Sequence, residues 1–170
     1  MRPLPVHVWR KFQSAIAQLH EGSSSRETLE VILSWIRDGY RYFTAEPFSV
    51  YGFDEFSQMD EGAMPVEFSS YLPSDLAHLR KVILEYQSKD VEFIAQFLRD
   101  TLEALITVEL DKQCPDCKSD GMRIFIGRHN GLLAYQCNVC GRSHYSDGSK
   151  VGRGELEFVS AKKLREFNVI

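Results

Sequence analysis

Four cysteines set the strongest constraint on this chain, because they occur as two closely spaced pairs. Cys114 and Cys117 form the first pair, Cys137 and Cys140 form the second, and 19 residues separate the pairs. Two residues between thiolates allow a tight turn to point both sulfur atoms at one ion, and this interval between pairs is typical of a four-cysteine zinc site. A disulfide scaffold would spread its cysteines more widely. The pattern therefore predicts a zinc ion bound by all four thiolates.

The sequence between the two pairs predicts a β-hairpin. Residues 122–126 are mostly apolar and favour a strand, residues 129–131 suit a turn, and residues 132–135 form the returning strand. With both cysteine pairs, residues 112–148 resemble the zinc ribbons, a family of small β modules held together by metal. The resemblance implies a three-stranded ribbon and a structural Zn²⁺ with four ligands, Cys114, Cys117, Cys137 and Cys140. It does not imply one function, because zinc ribbons bind nucleic acids, dock proteins or stiffen domains.

Other interpretations of the cysteines fit the sequence less well. A redox pair at Cys114 and Cys117 should open a helix after a strand, whereas here a predicted helix precedes the pair and a hairpin follows it. A catalytic zinc ion is disfavoured because four thiolates leave no open position for water. His144 lies four residues after Cys140 and could replace one ligand. Since four cysteines suffice, we expect His144 to have a surface or strand role instead.

Composition indicates a soluble globular protein. The chain has 170 residues, 44% hydrophobic and 26% charged, with a formal net charge of −4. No apolar run approaches the roughly 20 residues of a membrane-spanning helix. Residues 1–5 carry two prolines and lack the apolar stretch of a signal peptide. We therefore expect a cytoplasmic protein.

Apolar periodicity predicts an α+β fold in two domains, an acidic helical domain over 1–111 and a zinc-ribbon domain over 112–170. Ser24 and Glu27 match a capping box, so one helix should begin there. The pattern predicts about four helices in the first domain, over 5–20, from Ser25 to near Gly39, from Ser74 to Tyr86, and from Ser88 to Leu110. Between them it predicts a short strand over 40–44 and a long aromatic loop to Pro73. In the second domain it predicts a final strand over 155–160 and a closing helix over 161–167.

Charge is divided unevenly between the predicted domains. Residues 1–111 contain 10 Lys and Arg against 18 Asp and Glu, a net charge of −8, whereas residues 112–170 contain 10 against 6, a net charge of +4. The 38 residues from Tyr42 to Leu79 contain no Lys or Arg and seven acidic residues. We call residues 42–79 the acidic segment. The uneven distribution indicates that the two halves differ in role.

The acidic segment has two interpretations. Its aromatic residues could anchor a packed loop whose acids face water. Alternatively, it is a docking surface for a cationic protein, with acids that steer the encounter and apolar side chains that supply contact energy. Under the second interpretation the partner-binding residues are Glu46, Tyr51, Phe53, Asp54, Glu55, Phe56, Asp60 and Glu61.

Two functional hypotheses follow, and neither is an enzyme. The chain has no Gly-rich phosphate loop, no metalloprotease helix motif and no nucleophile elbow. The first hypothesis is a protein-binding protein, most specifically an inhibitor or immunity protein that neutralises a basic partner such as a nuclease toxin. The alternative is a nucleic-acid-binding or transcription-associated zinc ribbon, with phosphate contacts from Arg123, Arg128, Arg142 and Lys150.

Overall fold

A computed structural model describes residues 2–170 and shows an α+β protein. Helices occupy most of the first 106 residues, and the antiparallel sheet follows. The α-helices of the described residues are α1 (Val6–Ala17), α2 (Ser25–Asp38), α3 (Tyr40–Phe43), α4 (Phe53–Gln58), α5 (Pro73–Glu85), α6 (Val91–Ile106) and α7 (Ala161–Glu166). The strands are β1 (Glu109–Gln113), β2 (Asp120–Gly127), β3 (Leu133–Cys137), β4 (Ser143–Tyr145) and β5 (Leu156–Glu157).

The chain separates into two compact units. The N-terminal unit contains the residues up to Glu61 together with Tyr71–Leu105, and the C-terminal unit contains Gly62–Ser70 together with Ile106–Ile170. Strand β1 crosses the predicted domain boundary at residue 111, because it pairs with β2. Counted by compact units, the C-terminal unit carries 10 Lys and Arg against 9 Asp and Glu. The net charge of the whole C-terminal unit is therefore only +1, and the positive charge predicted for this half is confined to parts of it.

The capping box at the start of α2 is confirmed. The Ser24 hydroxyl accepts a hydrogen bond from the Glu27 backbone N–H at 3.1 Å, and the Glu27 carboxylate accepts one from the Ser24 N–H at 3.3 Å. These bonds satisfy N–H groups that have no partner inside the helix. Helix α1 ends at Ala17 and α6 begins at Val91, each three residues inside its predicted bounds.

Stacked aromatic rings form the core of the N-terminal unit. Phe12 stacks on Trp35 with centroids 4.1 Å apart, Trp35 meets Phe43 at 4.6 Å, and Phe43 meets Phe48 at 4.9 Å. Phe53 continues the series at 5.0 Å from Phe48. All five rings are buried. Three phenylalanines of the acidic segment, Phe43, Phe48 and Phe53, thus extend the core that α1 and α2 begin.

The predicted strand over 40–44 is wrong, because these residues form α3. The Thr44 N–H donates to the Tyr40 carbonyl at 3.2 Å, which closes a helical turn. Residues 2–105 contain no strand that could pair with an extended segment here, so its backbone groups must be satisfied locally. The lack of a pairing strand also explains why much of the predicted loop is helical. It contains α4 and short 3₁₀ helices at Phe48–Tyr51, Glu61–Ala63 and Val66–Phe68.

The predicted hairpin is confirmed, and the sheet around it is larger than three strands. Strands β2 and β3 are antiparallel, with Met122 opposite Cys137 and Ile126 opposite Leu133. Strand β4 pairs with β3. The other edge of β2 is shared by β1 at one end and β5 at the other. These additional strands satisfy backbone groups that a bare hairpin would expose.

The core of the C-terminal unit is divided into small clusters. One lies between the sheet and α7, and its buried members are Val108, Ile124, Ile126, Leu133, Val159 and Leu164. A second contains Phe125, Ala134 and Tyr145, and a third contains Cys114, Met122 and Cys137. The predicted final strand is shortened to β5. The predicted closing helix is confirmed as α7, capped by the Ser160 hydroxyl, which accepts from the Lys163 N–H at 3.2 Å.

Among residues 2–170, no helix combines the length and apolar character that crossing a lipid bilayer requires. The longest helix, α6, has 16 residues, fewer than the roughly 20 that span the hydrocarbon core.

We predict that Phe43→Ala destabilises the N-terminal unit by about 3–5 kcal/mol, because Phe43 is fully buried at the centre of the aromatic series. Chemical denaturation followed by tryptophan fluorescence measures this loss, since Trp9 and Trp35 both lie in this unit. Val50→Ala is the control. Its side chain is 69% exposed, so the free energy of unfolding should change by no more than about 0.5 kcal/mol. Equal effects of the two substitutions would contradict the prediction.

Candidate metal centre

The four cysteine sulfur atoms lie together at one end of the sheet. All four Sγ atoms are within 4.8 Å of one another. The Sγ atoms of Cys114 and Cys140 are 3.7 Å apart, and those of Cys117 and Cys137 are 3.6 Å apart. A tetrahedral ion with metal–sulfur bonds of about 2.3 Å places its ligands about 3.8 Å apart. The residues present therefore fit a metal ion held by four sulfurs.

The first pair lies on a tight turn that connects β1 to β2. The Cys114 N–H donates to the Ser119 carbonyl at 2.8 Å, and the Lys118 N–H donates to the Cys114 carbonyl at 3.0 Å. Lys118 has a φ of +64°, in the left-handed region that costs a side-chain-bearing residue energy. This conformation turns the chain sharply after Cys117. Cys114 and Cys117 do not open a helix, as a thioredoxin-like redox pair should.

The second pair repeats this geometry between β3 and β4. The Gly141 N–H donates to the Cys137 carbonyl at 3.1 Å, and the Cys137 N–H donates to the Arg142 carbonyl at 3.0 Å. Gly141 has a φ of +72° and occupies the position equivalent to Lys118, directly after the second cysteine of its pair. Glycine adopts this conformation without the steric cost of a Cβ atom.

Backbone and hydroxyl groups around the sulfurs favour thiolates at two of the four positions. Hydrogen bonds from Ser119 lower the pKa of Cys117 to about 6. The Cys140 and Val139 N–H groups, 3.5 and 3.3 Å from the Cys137 sulfur, lower the pKa of Cys137. Thiolate is the form that binds metal, so these groups prepare the site.

Cys140 behaves differently from Cys117 and Cys137. The Arg142 N–H lowers the pKa of Cys140, but desolvation and the neighbouring thiols outweigh it and raise the pKa to about 11. Four thiolates packed this closely repel one another unless a cation lies between them. The arrangement is therefore that of a metal site. With four protein ligands it has no open position for water or substrate.

His144 lies outside the sulfur cluster. Its Nε2 atom is 3.2 Å from a carboxylate oxygen of Asp116, and the other oxygen of Asp116 is 3.4 Å from Arg142 Nη1. The side chain of His144 is mostly buried beside the first cysteine pair. The structure thus places His144 on β4, away from the ligand positions, as the sequence predicted.

The acidic segment combines buried rings with exposed acids. Phe53 and Phe56 are buried, so these two predicted contact residues belong to the core and are not available to a partner. Glu46, Glu55 and Asp60 are exposed. Asp54 and Tyr51 are half-buried, and the Tyr51 hydroxyl donates to Glu92 on α6 at 2.7 Å. The sequence alone does not reveal this partner, because Glu92 lies 41 residues from Tyr51, at a polar position of a helix that packs in the core.

Glu61 has an internal partner. Its carboxylate accepts hydrogen bonds from both terminal nitrogens of Arg37, at 2.9 and 2.7 Å. Arg37 also donates to the carbonyls of Ser57 at 3.0 Å and Met59 at 2.7 Å. This ion pair attaches residues 57–61 to α2. Glu61 therefore stabilises the segment, whereas Glu46 and Glu55 are exposed.

The four basic residues of the nucleic-acid hypothesis do not form one group. Arg142 and Lys150 line a single cleft of about 730 Å³, together with Arg153. Arg123 lies on β2 and Arg128 follows it at the hairpin turn, and neither lines this cleft.

Comparisons of the chain with protein-family models, curated proteins and solved structures found no match.

We predict that Cys117→Ser, or a strong chelator, abolishes binding of one equivalent of divalent metal and unfolds the C-terminal unit. Small metal-held modules obtain much of their folding free energy from the metal. Metal analysis measures the stoichiometry, and loss of amide resonance dispersion for residues 106–170 reports the unfolding. Tryptophan fluorescence should persist, because Trp9 and Trp35 lie in the N-terminal unit.

Val139→Ser is the matched control for this experiment. Val139 lies within the second pair and is 68% exposed, and it contributes only its backbone N–H to the site. This variant should keep its metal and its fold. A Cys117→Ser protein with normal metal content and stability would contradict the proposed site.

We predict that Glu61→Gln reduces the free energy of unfolding at neutral pH by about 0.5–1 kcal/mol, the value of a partly exposed ion pair. Arg37 lowers the pKa of Glu61 from 4.5 to about 2 in the folded protein. Because the folded-state pKa is lowered, the stabilisation is present above pH 4.5 and is lost as the pH falls towards 2. Urea denaturation across this range should show the two proteins converging. Glu55→Gln, at an exposed site, should follow the parent protein throughout.

Proposed function

We propose that the protein is a non-enzymatic binding protein, in which Zn²⁺ held by the four cysteines stabilises the C-terminal unit and the acidic segment binds a basic protein. The most specific form of the proposal is an inhibitor or immunity protein that neutralises a basic partner such as a nuclease toxin. The observation that carries it is the division of the acidic segment into buried rings and exposed acids. We further propose that it acts in the cytoplasm, where thiols stay reduced and free to bind metal.

Zinc is the ion that best suits the four sulfurs. It is a borderline-soft cation without geometric preference of its own, and it is commonly held by four cysteines in structural sites. Calcium and magnesium prefer oxygen ligands. The small separate core clusters of the C-terminal unit also favour a structural ion, because a short chain buries too little apolar surface to fold with a large margin. These features support a zinc ribbon that is extended by additional strands.

The acidic segment is suited to binding because its backbone is held in place before a partner arrives. Phe43, Phe48, Phe53 and Phe56 anchor it in the core. The Arg37–Glu61 ion pair secures its middle. A surface that is already ordered loses less conformational entropy on association than a flexible loop. Nuclease clefts are positively charged because they bind phosphates, so an ordered row of carboxylates complements them.

We predict that reversing three acids, Glu46→Lys, Asp54→Lys and Glu55→Lys, weakens binding to a basic partner by at least about 100-fold, mainly by slowing association. Affinity purification from the native cell at low salt, followed by mass spectrometry, identifies the partner. Surface plasmon resonance with that purified partner then measures the rates at several salt concentrations.

The matched control reverses three exposed acids outside the segment, Glu21→Lys, Glu30→Lys and Glu85→Lys. It changes the net charge equally, so it separates a local surface from a general charge effect. Equal weakening by the two triple variants would refute the proposed surface. Any turnover of a small molecule that depends on a few side chains would refute the non-enzymatic assignment.

A further inference from the structure

Two adjoining clefts in the C-terminal unit share one wall at His144. The first is the cleft of about 730 Å³ that contains Arg142, Lys150 and Arg153, and we call it the cationic cleft. The second has a volume of about 420 Å³ and also borders His144. The turn between Cys114 and Cys117 borders both clefts. Asp116 lines the cationic cleft, and its neighbour Pro115 lines the second cleft.

The second cleft is lined by flat and apolar side chains, and we call it the aromatic cleft. Pro115 and Tyr135 are the accessible members of its apolar lining, whereas Met122 and Tyr145, which also border it, are buried. Lys112 lies at the same cleft, with its ammonium nitrogen 3.9 Å from the centre of the Tyr135 ring. Such a lining suits a planar, uncharged group with polar edges.

The chain builds the cationic cleft by folding the loop after β4 back over the strand. Lys150 forms an antiparallel bridge with His144, and the Tyr145 N–H donates to the Ser149 carbonyl at 2.8 Å. The Glu155 carboxylate accepts from the Gly152 N–H at 2.9 Å and from the Tyr145 hydroxyl at 2.8 Å. This carboxylate is used inside the loop and does not line the cleft.

The cationic cleft has an excess of positive charge. Asp116 is its only acidic lining residue, and Arg142 and His144 both face its carboxylate. Lys150 and Arg153 are exposed. Lys112 lines the neighbouring cleft, so the four lining cations exceed the combined charge of Asp116 and of four thiolates with a divalent ion, −1 and −2, by about one.

His144 leaves a polar atom unsatisfied at the shared wall. Its Nδ1 atom is buried and has no hydrogen-bond partner among the described residues. Nε2 of the same ring faces Asp116 at 3.2 Å, so Nδ1 is the ring nitrogen that still lacks a partner. Unsatisfied buried polar atoms are rare in folded proteins, and they occur where a ligand or water completes the site.

We propose that the two clefts together bind one nucleotide unit, with its phosphate in the cationic cleft and its base in the aromatic cleft. Guanidinium and ammonium groups bind phosphate through charge-assisted hydrogen bonds, and bases stack on aromatic rings. The bound unit is either a free nucleotide or one nucleotide of a single-stranded nucleic acid. A concave site does not fit a duplex, whose grooves admit protruding helices or strands. This activity is independent of the acidic segment, so its failure would leave the proposed protein binding untouched.

The test uses the full metal-loaded chain at low salt and four probes: deoxyadenosine monophosphate, deoxyadenosine, inorganic phosphate and a six-residue oligo(dA). Calorimetry measures affinity, and amide chemical shifts locate the site. We expect the monophosphate to bind at least about tenfold more tightly than deoxyadenosine or phosphate, because it fills both clefts. The shifts should fall within residues 112–122, 135–136 and 141–156, which contain the lining of both clefts. Phosphate binding as tightly as the monophosphate would overturn the proposal, as would no binding of the monophosphate and oligo(dA).

The double variant Lys150→Gln, Arg153→Gln should weaken monophosphate binding at least about tenfold. The control variant Lys162→Gln, Arg165→Gln removes the same charge from exposed positions on α7, outside the clefts, and should bind as the parent does. Both variants change surface side chains only, so folding is preserved. Equal weakening by the two variants would overturn the proposal, because it would show general charge attraction.

The oligo(dA) arm distinguishes the two sources of the nucleotide. Tighter binding of oligo(dA) than of the monophosphate supports a single strand, and the cleft variant should then reduce the slope of log affinity against log salt by about 1–2. Tighter binding of the monophosphate supports a free nucleotide. Shifts outside both clefts for either probe would overturn the assignment.

Discussion

The convergence of four sulfur atoms on one point is the constraint on which the C-terminal unit depends. The two turns that carry the cysteine pairs lie at the same end of the central hairpin, and they must face each other for the sulfurs to come within 4.8 Å. The antiparallel register that places Met122 opposite Cys137 achieves this. Because the surrounding apolar clusters are small and separate, an ion bound at this point would connect elements that packing alone holds weakly.

The N-terminal unit is stabilised in the opposite way, by a continuous core of aromatic rings. The series from Phe12 through Trp35 and Phe43 to Phe53 joins the first two helices to the acidic segment. With four of its phenylalanines buried, the segment exposes acids such as Glu46 and Glu55, beside apolar side chains such as Val50. The same residues that stabilise the fold thereby create its negatively charged surface, and this is the physical link between stability and the proposed function.

The two proposed binding surfaces have opposite charge, and the predicted partner-binding residues between Glu46 and Glu61 lie in the N-terminal unit, whereas the cationic cleft lies in the C-terminal unit. The acidic segment presents carboxylates without a basic side chain among its 38 residues. The cationic cleft presents Arg142, Lys150 and Arg153 around one engaged carboxylate. Long-range electrostatic attraction weakens with salt in both cases, but the two surfaces attract ligands of opposite sign. Variants that change the charge of one surface therefore test the activity proposed for that surface and leave the other surface unaltered.

The sequence by itself determined the α+β class, the capping box of α2, the central hairpin, the closing helix and the four clustered cysteines. Each of these depends on local spacing, which is visible without a fold. Only the tertiary structure decided that residues 40–44 are helical, that Phe53 and Phe56 are buried, and that Glu61 pairs with Arg37. It also decided that Lys150 and Arg153 meet Arg142 at one cleft. These features depend on which neighbours satisfy backbone groups, cover rings and pair charges, and those neighbours lie far away along the chain.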